Sequence, residues 1–191
     1  AEYQGYYLAK LVHQMSLAQR VTLAGHSYGA TTAAAACHYL GGGCLRGWTL
    51  EGGAPVERPN LRAAMISGAF DNDALIPGCR YGQAFVEAEK FYVTRNIRDK
   101  TLDSWPKVSA RGQKALGVTG LNAHRLGQYR HKLCQQTLTA DVGRSHYLKQ
   151  HLASNRFVKT LCCISFPQCD GCGATPIQAE TEAESAAEDE A

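Results

Sequence analysis

VTLAGHSYGATTAAAACHYLGGG, residues 21–43, is the stretch on which the fold turns. Its first five residues, VTLAG, are an apolar run too short for a helix and read as a buried strand. From Ala30 to Leu40 the chain is rich in alanine, the best helix former, and Gly41-Gly42-Gly43 ends that run sharply. Between strand and helix stands Gly25-His26-Ser27-Tyr28-Gly29, a G-x-S-x-G string. A serine on so tight a strand-to-helix turn is strained and lifted clear of the sheet. Glycines are expected two residues to either side, where bulkier side chains would meet the crossing backbone. The Tyr28 N–H, at the start of the helix, then points where negative charge would develop on a substrate, with the helix dipole behind it. The plain alternative is a glycine-flanked turn with no chemistry.

Outward from this turn, residues 3–19 space apolar side chains as an amphipathic helix does. LRGWTL (45–50) and AAMISGAF (63–70) read as strands, RYGQAFVEAEK (80–90) as a helix, and FYVTRN (91–96) as the best strand of the chain. Residues 97–135 are mixed and polar, TLTADV (137–142) reads as a last short strand, and residues 147–162 as a closing helix. Strands alternating with helices predict an α/β fold with a mostly parallel sheet flanked by helices. No internal repeat is visible.

Composition agrees. The 191 residues suit one domain, and 45 % hydrophobic with 19 % charged residues suits a packed core. No apolar run reaches the roughly 18–20 residues needed to span a bilayer, so no transmembrane segment is expected. No charged region followed by an apolar one stands at the front. The net charge of +3 conceals an acidic end: residues 180–191 hold six acids and no base, leaving 20 bases against 11 acids before them. Those bases are scattered, without the aromatic interleaving of a nucleic-acid surface, so no nucleic-acid partner is expected. Three regions follow: a core over 1–160, a Cys-rich extension over 161–173, and an acidic tail over 174–191 expected to be disordered.

VTLAGHSYGATTA resembles the nucleophile elbow of the α/β-hydrolase superfamily, the fold of esterases, lipases and many other acyl-group hydrolases. The resemblance runs from about residue 3 to about residue 160. It implies a chain order of nucleophile, acid, then histidine, each on a loop after a strand. Only 26 residues precede Ser27, room for one helix and one strand. The resemblance therefore implies the C-terminal portion of the fold, without the earlier strands or the loop that supplies the second oxyanion donor. The strand VTLAG is then expected at a sheet edge.

Ser27 needs a base to take its proton, and the base needs an acid to hold its tautomer. Two loops offer the acid. Asp71 and Asp73 stand in GAFDNDALIP, where Asp73-x-x-Ile-Pro is similar to the segment after the acid strand in many members of the superfamily. Asp99 stands in FYVTRNIRDKTLD, after the better strand, and Asn96-x-x-Asp99-x-x-Leu102 resembles a bacterial branch whose acid lies in such a segment. Asp99 is preferred, Asp73 is the alternative, and Asp71 and Asp103 remain open. Turn chemistry is the ordinary role of all four. His146 follows the last expected strand by a three-residue loop and is the expected base. His151 lies within the closing helix, His124 and His131 precede the last strand, and His13 and His38 lie in helices. His26, beside the nucleophile, is expected to support the elbow.

Eight cysteines are many. Cys169-x-x-Cys172 has metal-ligand spacing, but Cys162-Cys163 lies close to it for a zinc site, and disulfides or free thiols are the other readings. The expectation is a serine hydrolase that cleaves an ester-type bond of a small-molecule substrate without a cofactor. Ser27, His146 and Asp99 would be catalytic, with Tyr28 N–H as oxyanion donor. The rival is a non-catalytic module of the same fold with a Cys-rich metal- or partner-binding tail.

Overall fold

The computed structural model describes residues 1–15, 20–51 and 58–166. Strands β1 (Val21–His26), β2 (Arg58–Ile66), β3 (Ala88–Arg95) and β4 (Leu133–Thr137) form one sheet in that spatial order. Every neighbouring pair is parallel. The helices are α1 (Glu2–Gln14), α2 (Tyr28–Leu40), α3 (Leu116–Thr119), α4 (Thr139–Val142), α5 (Leu148–Ala153) and α6 (Asn155–Ser165). The expected α/β architecture is present.

Strand alternation sorts the core into two layers. Ala63 and Met65 of β2, with Phe91 and Val93 of β3, join the alanines of α2 and the inner face of α1. Ala64, Ile66 and Tyr92 point the other way, against Val142 of α4 and Phe157 of α6. A parallel sheet covered on both faces explains why β2 and β3 read as nearly continuous apolar runs. Small residues let α1 and α2 approach closely: a Cβ on Gly5 would lie 2.7 Å from the Ala35 Cβ. Because all four strands run one way, the segments after β1, β2, β3 and β4 emerge at one end of the sheet, where open α/β folds place their sites.

Several expected elements differ. Residues 45–50 form a tight turn rather than a strand: Arg46 and Gly47 have φ of 53° and 80°, and Leu45 and Trp48 exchange backbone hydrogen bonds of 3.1 and 3.0 Å. The strand expected over 63–70 lies earlier, at 58–66. Residues 80–90 are not helical. Tyr81, Ala84 and Phe85 are at helical spacing, but they are buried in a series of turns that carries the chain from β2 to β3. Among the described residues the last strand is the polar LCQQT of β4, paired with β3 alone, rather than TLTADV; residues 139–142 make a turn of helix instead. The closing helix breaks at Ser154, whose hydroxyl caps α6 by accepting the Phe157 N–H at 3.2 Å. Among the described residues β1 pairs on one side only, with β2. The end of the first expected helix at residues 16–19, most of the Cys-rich extension and the acidic tail lie outside the described residues.

Candidate active site

Ser27 joins β1 to α2 at φ 53° and ψ −119°, backbone that a non-glycine residue adopts only under constraint. Backbone hydrogen bonds supply the constraint. Its N–H donates to Ile66 O at 2.9 Å, and its carbonyl accepts from Ala30 and Ala69, each at 3.1 Å. The two flanking glycines differ. A Cβ on Gly25 would fall 2.2 Å from Gly29 O, so only glycine lets the first turn of α2 cross the strand end; a Cβ on Gly29 would meet nothing within 4 Å. Crowding was expected at both flanking glycines; the crossing backbone requires glycine at 25 and not at 29.

Serine at a helix N-cap ordinarily turns its hydroxyl onto the first N–H groups. Ser27 makes no such bond. Its Oγ lies 2.7 Å from His146 Nε2, and His146 Nδ1 lies 2.7 Å from Asp99 Oδ2. Chemistry assigns the protons: a carboxylate only accepts, so Nδ1 carries the hydrogen and Nε2 is free to accept from Ser27. Asp99 is 1 % exposed. Its second oxygen accepts the Thr101 and Leu102 N–H groups, each at 3.0 Å, so both carboxylate oxygens are engaged. The structure thus brings together residue 27 at the end of β1, residue 99 in the segment after β3, and residue 146 in the segment after α4, which follows β4.

The other acids lie elsewhere. Asp73 pairs with Arg111, and Asp71 accepts Trp105 Nε1–H at 2.9 Å and Arg111 at 3.2 Å. Burial pushes the Asp71 carboxyl up, but hydrogen bonds from Trp105, Ser109 and Arg111 outweigh it and leave Asp71 below its ordinary value. Both carboxylates hold the 109–115 loop; neither approaches His146. Asp103 is exposed. It lines a cavity of about 330 Å³ beside Asp99, together with Ile97, Arg98, Lys100 and Arg144. A larger hollow of about 760 Å³, bounded by His38, Cys44, Arg46, Cys79 and Arg80 among others, touches none of the three converging residues. Size favours that hollow as a site, but the aligned hydrogen bonds at Ser27 are the stronger criterion.

His26 Nε2 donates to the His146 carbonyl at 2.8 Å. Burial lowers the His26 pKa, partly offset by that carbonyl, and the proximity of His146 lowers it further. His151, on α5, is fully buried and hydrogen-bonds Ser67 Oγ at 2.9 Å rather than Ser27. Sequence reasoning gave Ser67 no role and quoted Asn96 only as part of a motif. In the fold Ser67 stands one residue past β2 and Asn96 one residue past β3.

Among the described residues no group of three or more His, Cys, Asp or Glu side chains could hold a metal ion. Cys37, Cys44, Cys79, Cys134 and Cys162 are free, and Cys163 is disulfide-bonded. Burial pushes the Cys37 thiol up to about 12, an inert core group on α2. Cys169 and Cys172 lie outside the described residues. No helix among the described residues is long and apolar enough to cross a membrane. Compared with family models, with curated proteins and with solved structures, the chain finds no match.

Proposed function

We propose that this chain is a serine hydrolase that cleaves an ester-type bond through an acyl-enzyme on Ser27. One observation carries the reading: Ser27 Oγ, His146 and Asp99 in a continuous line of two 2.7 Å hydrogen bonds. Ser27 Oγ attacks the substrate carbonyl carbon as its proton passes to His146 Nε2. Asp99 stabilises the imidazolium, and the Tyr28 N–H, in the first turn of a 13-residue helix, receives the oxyanion. Collapse breaks the ester C–O bond, and the departing alcohol takes the proton from His146. Water then attacks the acyl carbon, giving one proton to His146 Nε2, and the acid leaves as Ser27 Oγ takes that proton back. These steps draw only on side chains and backbone.

Tyr28, Ile97 and Tyr147, within two residues of Ser27, Asp99 and His146 along the chain, are 60, 57 and 75 % exposed and are the apolar side chains this reading would turn to an acyl or alkyl group. A p-nitrophenyl ester tests the reading. The wild-type chain is expected to release p-nitrophenolate, while Ser27→Ala and His146→Ala each lose about 10⁴-fold or more in kcat. Hydrolysis that survives Ser27→Ala contradicts it.

A further inference from the structure

Loop carbonyls usually turn to water, yet three consecutive carbonyls around the candidate base do not depend on it. Ser145 O accepts Asn96 Nδ2–H at 3.1 Å, His146 O accepts His26 Nε2–H at 2.8 Å, and Tyr147 O accepts His151 Nδ1–H at 3.1 Å. Two donors reach in from other elements, Asn96 just past β3 and His26 at the end of β1, while His151 lies one turn along α5, the helix that Tyr147 caps. Each donor is itself oriented. Asn96 is fully buried and its Oδ1 accepts the Arg98 N–H at 3.1 Å, which settles which way the amide faces. His151 is fully buried too; with its Nδ1 hydrogen given to Tyr147 O, its Nε2 must accept, so Ser67 Oγ–H is the donor at 2.9 Å. His26 is wedged between the other imidazoles, 4.9 Å from the ring of His146 and 5.9 Å from that of His151.

We propose that His26, Asn96 and His151 are positioning residues whose side chains hold the backbone on either side of His146, and so aim its imidazole at Ser27. The inference rests on the hydrolase reading above and adds to it the means by which the base is held. Asp99 alone fixes one ring nitrogen, leaving the ring free to swing about the Nδ1–Asp99 bond with any movement of its backbone. Carbonyls pinned at residues 145, 146 and 147 remove that freedom. The neutral donor forms suit the task, since burial disfavours a charge on His26 and on His151.

His26 gives the cleanest test, because glutamine places an Nε2–H donor where histidine has one and phenylalanine keeps the ring without it. The probes are a fluorophosphonate, read as the rate of labelling, and a p-nitrophenyl ester, read as kcat and KM. His26→Phe is expected to slow labelling and kcat by about 10–100-fold, the cost of a misplacement near 1 Å, with KM changed less than about threefold. His26→Gln is expected to recover to within about threefold of wild type. Melting temperatures of both variants separate misplacement from unfolding. Wild-type rates in His26→Phe, or a His26→Gln as slow as His26→Phe at an equal melting temperature, overturn the proposal. If the wild-type chain itself is not labelled, the hydrolase reading fails, and the low-field proton resonance of the His146–Asp99 hydrogen bond decides the positioning role alone. Loss of that resonance in His26→Phe and its return in His26→Gln support the role; an unchanged resonance in His26→Phe overturns it.

Discussion

Among the described residues two serine–histidine pairs sit near each other at the same end of the sheet, and the proposed chemistry falls to only one of them. Ser27 and His146 are 2.7 Å apart, Ser67 and His151 2.9 Å. Both serines hold positive φ, 53° and 45°, at the end of a parallel strand. Behind the imidazoles the pairs part. His146 gives its Nδ1 hydrogen to the buried carboxylate of Asp99, whereas His151 gives its own to a backbone carbonyl, which can orient a ring but carries no charge to stabilise an imidazolium. Ahead of the serines they part again. Ser27 is partly exposed and opens a 13-residue helix whose first N–H groups lack intrahelical acceptors. Ser67 is fully buried, and its N–H is spent on Thr94 Oγ1 at 2.9 Å. A serine–histidine hydrogen bond is therefore no sign of a nucleophile by itself. The acid behind and the access in front make the difference.

Removing the hydroxyl of each pair in turn gives the largest expected effect. On the proposed reading Ser27→Ala is expected to abolish ester hydrolysis and Ser67→Ala to keep it, with a lowered melting temperature from the buried His151 Nε2 left without its donor. Comparable losses of kcat in the two variants break the distinction. Next comes the acid: Asp99→Asn, which leaves His146 without its charged partner and favours the wrong tautomer, is expected to cost about 10⁴-fold in kcat. Asp73→Asn, which removes one contact to the half-exposed Arg111, should leave kcat within about twofold.

The legibility of the molecule follows the same divide. Ser27 could be read because strand, turn and helix are contiguous, and Asp99 and His146 because each follows a strand-like run by a few residues. The second pair could not. Ser67 lies inside an apolar run that read as one continuous strand, and His151 looked like any histidine on a closing helix; their meeting depends on how β2 and α5 pack. The same cause hid the carbonyl contacts of Asn96 and His26. Fold errors arose where burial and period disagreed. Tyr81, Ala84 and Phe85 mimic a helical stripe, while LCQQT is too polar to announce a strand yet pairs with β3 from Phe91 to Arg95.

Acid titration gives a smaller effect. Burial lowers the pKa of His26, His38 and His151 below the ordinary 6.5. The unfolded chain therefore binds protons that the folded chain resists. Stability is fully present above about pH 6.5 and is lost as pH falls from there through the lowered values. Melting temperature should fall between pH 7 and pH 5, less steeply in His151→Asn, which removes one of the three groups. A curve that is flat in wild type over that range contradicts it. Smallest of all is the second glycine of the elbow: Gly29→Ala is expected to leave melting temperature and kcat nearly unchanged, since its Cβ meets nothing within 4 Å, whereas Gly25→Ala drives a methyl onto Gly29 O and disrupts the turn. Equal effects of the two alanines on labelling rate would show that the elbow is not crossed where the backbone places it.

The most direct measurement is peptide mapping of the whole chain after reaction with a fluorophosphonate, in which a serine oxygen displaces fluoride and keeps the phosphonyl group. One adduct is expected, on Ser27, that disappears in Ser27→Ala and in His146→Ala but persists in Ser67→Ala. No adduct at all, or an adduct on Ser67, contradicts it.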